Sequence, residues 1–143
     1  MAIDDLLRVG RIRRERISPA EVREALKLAD RDLRVARKLM SEELDWGFTV
    51  AYNAVLQAGR AFMFAKGYRP TTAEGHKNTF AFLAAALGPE HADLVTYFDR
   101  MRNKRNQAVY GMAGRIAETE ARNLLTKATE FVRLVKRLLK EMP

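Results

Sequence analysis

The sequence predicts an all-α fold, an up-and-down helical bundle of four to five main helices. Apolar residues recur at three- and four-residue spacing along nearly the whole chain, and period-two alternation is absent, so no segment reads as a strand. Four prolines and eight glycines in 143 residues leave room for long uninterrupted helices. A hydrophobic share of 48% is that of a globular core rather than of a disordered chain. The length suits one domain over residues 1–143, with a basic N-terminal helix or arm over 1–17 and the bundle over 18–141.

The elements follow in order. Residues 3–14 read as a short basic helix. The segment 18–43 opens with Ser18 as N-cap, Pro19 at the first helical position and Glu21 closing a capping box. Its stripe runs Val22, Leu26, Ala29, Leu33, Ala36, Leu39. Residues 44–66 form a second helix, apolar around much of its girth and so expected at the centre of the bundle. Gly67 ends it as a C-cap, followed by the loop YRPTT. A third helix begins near Thr72 and runs to Gly88. Pro89 starts a fourth, expected to fray at GMAGR, and the last spans about Thr119 to Glu141.

Charge narrows the partners. Lys plus Arg outnumber Asp plus Glu by 26 to 18, a net +8, which favours nucleic acid first and an acidic protein or nucleotide next. The absence of cysteine excludes disulfides, a thiol nucleophile and thiolate-bound metal, and fits a reducing compartment. MAIDDLLRVGRIRRER contains no apolar stretch long enough for a signal peptide, and no segment approaches a membrane span, so a cytoplasmic location is expected.

Most chemistry-bearing residues have plain explanations. His76 and His91 lack a second ligand at metal spacing and read as surface or cap-adjacent, so no metal and no cofactor is expected. Asp4–Asp5 and Glu42–Glu43 flank helix ends as solvated charges. Trp46, Phe48, Tyr52 and Phe62-Met63-Phe64 read as core or dimer interface. The cluster Arg133, Lys136, Arg137, Lys140 reads as a solvated face. Arg11, Arg13 and Arg14, within a denser cluster that includes Arg8 and Arg16, read as a phosphate-contacting arm.

The stretch RNKRNQAVYG, residues 102–111, is different. Leu94, Phe98, Met101, Ala108 and Met112 trace an apolar stripe whose missing beat falls on Arg105. Arg102, Asn106 and Tyr110 are spaced i, i+4, i+8 and share one side, and Lys104 adds charge beside them. A partly buried guanidinium needs an anion or several acceptors to offset its desolvation. That anion is either a carboxylate of the core or a phosphate, for which Asn106 and Tyr110 are flanking donors.

The phrase VAYNAVLQAGRAFMFAKGYRPTTAEGHKNTFAFL, followed by RNQAVY, resembles the HEPN domain (higher eukaryotes and prokaryotes nucleotide-binding) over roughly residues 20–140. The small bacterial and archaeal branch ends in an Arg-x-x-Ala-Asp-Tyr motif. Arg105, Ala108 and Tyr110 match it, and Val109 replaces the Asp. The resemblance implies a helical bundle that homodimerises and binds RNA or nucleotide. It also implies an encoded neighbour, a minimal nucleotidyltransferase, in a toxin–antitoxin pair. Ribonucleases of the family carry an Arg, a polar residue, four to six residues and then His. Arg105 and Asn106 fit the first half, but Tyr110 stands where the His would. Tyrosine titrates near 10 and is a poor base at neutral pH, so binding is expected to outlast catalysis. Catalytic roles, where present, would fall to Arg105, Asn106 and Tyr110 in a metal-independent endoribonuclease, with Arg102, Lys104, Arg11, Arg13 and Arg14 holding phosphate.

On an ideal helix Arg105 and Tyr110 diverge by about 140°. Convergence therefore requires unwinding near Gly111 or two chains meeting about a two-fold axis. Two other readings stand beside this one. In the first, a non-catalytic bundle docks a nucleotidyltransferase and Arg105 is structural. In the second, a dimeric scaffold uses its basic surface for solubility.

Overall fold

The computed structural model describes residues 1–110 and 116–142, the side chains of residues 108–110 excepted. The chain runs through α1 (Ile3–Arg8), β1 (Ile12–Arg14), α2 (Pro19–Leu39), α3 (Leu44–Ala65), β2 (Tyr68–Pro70), α4 (Gly75–Leu87), a 3-10 turn (Pro89–His91), α5 (Ala92–Tyr110) and α6 (Glu118–Glu141). The predicted helical bundle is what the chain forms. Among the described residues no helix is long and apolar enough to cross a membrane.

α3 lies at the centre, against α2, α4, α5 and α6. Its apolar girth is the cause. Tyr52, Ala54, Leu56, Phe62 and Phe64 point in different directions and all are buried, so every side of the helix needs a neighbour. α2 offers the small stripe Ala25, Ala29, Leu33, Ala36, and α6 offers Leu124, Ala128, Phe131, Val132, Val135. Phe98 of α5 meets Phe131 with ring centroids 5.2 Å apart, within the range of favourable aromatic pairs. Trp46, expected in the core or an interface, is 56% exposed and is not core.

The N-terminal segment corrects two expectations. Instead of one basic helix over 3–14, α1 stops at Arg8 and Gly10, at φ +76°, turns the chain back. The chain also contains strands. β1 pairs antiparallel with β2 in the register Ile12 with Pro70, Arg13 with Arg69 and Arg14 with Tyr68. Three residues per strand cannot display a period-two pattern, and only Ile12 of β1 is buried. That is why neither strand shows in the sequence. The loop expected after Gly67 is thus partly β2, entered through Gly67 at φ +87°.

The helix starts also differ in detail. Ser18 caps α2 by accepting from the Glu21 amide. The Glu21 carboxylate does not close the box but turns to Arg69, which also binds Glu15. α4 begins at Gly75 rather than Thr72, because Asn78 holds the preceding loop by donating to Ala73 O at 2.9 Å and Thr71 Oγ1 at 3.2 Å. Pro89 opens the 3-10 turn, and α5 begins only at Ala92. The expected continuation of the stripe at Ala108 and Met112, and the expected fraying at GMAGR, lie outside the described residues.

Candidate functional site

α5 and the first turn of α4 face each other across a cleft of about 250 Å³ lined by Glu74, Gly75, His76, Lys77, Arg102 and Asn106. Two causes bring the walls together. α4 lies close on α3 at Gly59, where a Cβ would meet Leu83 Cδ1 at 2.9 Å. α5 buries Val95, Phe98 and Met101 against the core, and Arg102 and Asn106, two and three turns beyond Val95 on nearly the same face, line the cleft.

Arg105 sits at the margin of the buried side, as its place in the stripe predicts. Its guanidinium lies over the Tyr52 ring, 5.8 Å from the centroid, and Nη1 donates to Asn106 Oδ1 at 3.2 Å. Its Nε is buried and has no hydrogen-bond partner. Among the described residues no carboxylate pairs with it. An orphaned charged donor costs about 1–3 kcal/mol or more, and here it is the Nε alone that is short of an acceptor. Arg102 is half-committed, with Nε donating to Asp99 Oδ1 at 3.1 Å.

Two residues that the sequence reading assigned to packing or surface complete the cleft. Tyr52, fully buried on α3, places its hydroxyl 3.2 Å from Nδ1 of His76 at the start of α4. Burial pushes the Tyr52 hydroxyl well above the ordinary tyrosine value, against the pull of Arg105 and Arg102, and keeps it a neutral phenol. Burial also lowers the His76 pKa, and the positive fields of Arg105, Arg60 and Arg102 add to that. His76 is therefore a neutral imidazole at neutral pH, with one nitrogen fixed by Tyr52. Nothing local in GHKNT announces this, because the partners come from helices far away in sequence.

The other expected phosphate contacts are not gathered here. Lys104 pairs with Glu120 of α6, which holds that carboxyl below its usual range. Arg11 donates from Nε to Asn78 Oδ1 at 2.8 Å. Arg14 stacks on Tyr68 at 5.9 Å, and Arg13 reaches Glu15 at 3.4 Å. Arg13 also borders a second hollow of about 310 Å³, shared with Arg60, Arg69, Gly75 and His76. The Tyr110 side chain and Gly111, on which convergence with Arg105 depended, lie outside the described residues. Among the described residues no three His, Asp or Glu side chains are placed to hold a metal ion.

A family model for the HEPN domain matches residues 22–138. The fold is similar to a crystal structure of an archaeal HEPN homologue, with a TM-score of 0.63 and 20% identity over 82% of this chain and 97% of that one. At that identity the likeness is one of fold. Among curated proteins there is no match.

Proposed function

Because this chain belongs to the HEPN family, we propose that its α4–α5 cleft binds the phosphate of RNA or of a nucleotide. The observation that carries the reading is the Arg105 guanidinium, which pairs with no carboxylate among the described residues and is joined by Nη1 to Asn106, a lining residue of the cleft with Arg102. A planar guanidinium lacking a carboxylate suits a phosphate oxygen, and a charge-assisted bond of this kind contributes about 1.5–3 kcal/mol. Lys77 and the net charge of +8 favour the same class of ligand.

Arg105→Ala should weaken binding of an end-labelled single-stranded RNA by about 10- to 100-fold, at about 1.4 kcal/mol per tenfold. The melting temperature should stay within a few degrees. Loss of the stacking on Tyr52 removes about 0.5–1 kcal/mol, and relief of the orphaned donor returns a similar amount. A large fall in melting temperature with unchanged affinity would instead make Arg105 a structural residue.

The same reading takes residues 1–143 as one functional unit that pairs as a homodimer, with exposed Trp46 as an available apolar contact. It places the chain as the toxin component beside a minimal nucleotidyltransferase, a partnership that copurification tests.

A further inference from the structure

We propose that the trough between α2 and α6 docks an amphipathic helix of a partner protein, one whose apolar stripe is flanked by Asp and Glu. The trough shares no lining residue with the α4–α5 cleft, so the proposal stands independently of what that cleft binds.

The trough holds about 950 Å³ and is open along its length. α2 and α6 form its banks, and Phe64–Ala65 at the end of α3 forms its floor. On the helical period of α2, Ala25, Ala29 and Leu33 face the core. Val22 and Leu26 come next around the helix, and Arg23 and Lys27 after them. α6 repeats this order, with Val135 in the core, then Leu139, then Lys136 and Lys140. Each bank thus steps from core, through half-buried apolar side chains, to cations. Val22, Leu26 and Leu139 are only half-buried, which leaves an apolar strip without a cover.

Charge selects what covers it. The lining carries Arg23, Lys27, Lys136 and Lys140 against the carboxylates Glu24 and Asp30. Lys136 reaches across to Asp30, with Nζ 2.8 Å from both carboxylate oxygens, and closes that end of the trough. Arg23, Lys27 and Lys140 form no ion pair among the described residues. Cations therefore stand free on both banks of one apolar strip.

A helix fits this arrangement and other ligands do not. The α2 bank, residues 19–30, spans about 16 Å, the length over which a docked helix sets anchors at i, i+3 or i+4, and i+7. Its flanking acids would meet the two banks. A membrane surface takes up protruding apolar side chains, whereas these are recessed between cations. A small amphiphile would keep much of itself in water in so open a trough. A nucleic-acid strand needs exposed rings for its bases, and the floor offers only Phe64, 6% exposed and already faced by Arg60 and Arg69. A second copy of this chain, at +8, is repelled.

The test uses a labelled synthetic peptide of about four helical turns, with Leu on one stripe and Glu on both flanks. Its controls are a scrambled peptide of the same composition and one with Lys for every Glu. Fluorescence anisotropy should show saturable binding of the Glu peptide alone. Amide NMR shifts should move at Val22, Leu26 and Leu139 and stay fixed at His76. Val22→Asp, at a position where the helix start favours an acid, should weaken binding by about tenfold or more. The double variant Lys27→Glu, Lys140→Glu should bind the Lys peptide in preference to the Glu peptide. Arg105→Ala should leave peptide binding unchanged. Failure of the wild type to bind the Glu peptide overturns the proposal, and so does equal binding of the scrambled peptide. So does an unchanged preference in the folded double variant. Shifts centred on His76, or capture by phosphatidylglycerol vesicles with no binding of the peptide, would also overturn it.

Discussion

Arg105 and His76 are electrostatically coupled, and the coupling is measurable without any substrate. After burial, Arg105 is the largest influence lowering the His76 pKa. Arg105→Met should therefore move the His76 titration upward toward its ordinary value near 6.5, read from the imidazole proton shifts by NMR. Burial remains, so the recovery should be partial. The sign for stability follows from proton counts. The folded chain holds this imidazole neutral, so below about pH 6.5 the unfolded chain binds more protons. Stability from this group is full above that pH. It falls as pH drops to the lower folded value, then levels off. His76→Gln should flatten the dependence of melting temperature on pH in that window. The motif around Arg105 was legible as an arginine out of place. The place of His76 beside it was not legible, because Tyr52 and His76 meet from α3 and α4, far apart in sequence.

At the scale of elements, Arg69 joins parts of the chain that share no local pattern. It leaves β2 to bind Glu15, just after β1, and Glu21 in the first turn of α2. The hydrogen bond from Arg69 holds the Glu15 carboxyl below its usual range. That contribution is present above the ordinary glutamate pKa and is lost as pH falls through the lowered value. Arg69→Met should speed amide exchange at Arg14 and Glu15, where Glu15 N–H donates to Gly67 O at 3.0 Å. Exchange in α3 and α6 should be unchanged, because their protection comes from the core. Equal acceleration in α6 would show that the N-terminal segment is part of the same cooperative unit. The helices themselves were legible, since each has a stripe to bury. The strands were not, and they replaced an expected basic helix and an expected loop.

At the scale of the molecule, the net charge of +8 attracts polyanions in general, while the cleft should account for a defined part of the binding. Arg102, Arg105 and Lys77 at or beside the cleft correspond to a slope of about −2 for log affinity against log salt on a single strand. Replacing Arg105 should reduce that slope by about 0.7. An unchanged slope would assign the binding to the diffuse basic surface. By itself the sequence determined the helical bundle, the central place of α3 and the oddity of Arg105. These follow from apolar periodicity within single segments, which burial must satisfy whatever the partners are. Only the tertiary structure decided that Arg105 pairs with no carboxylate among the described residues, that Lys104 and Arg11 are already engaged, and that a histidine stands near the arginine. Those facts depend on which faces of distant helices meet. The close approach of α4 to α3 at Gly59 sets that meeting, and no short-range pattern encodes it.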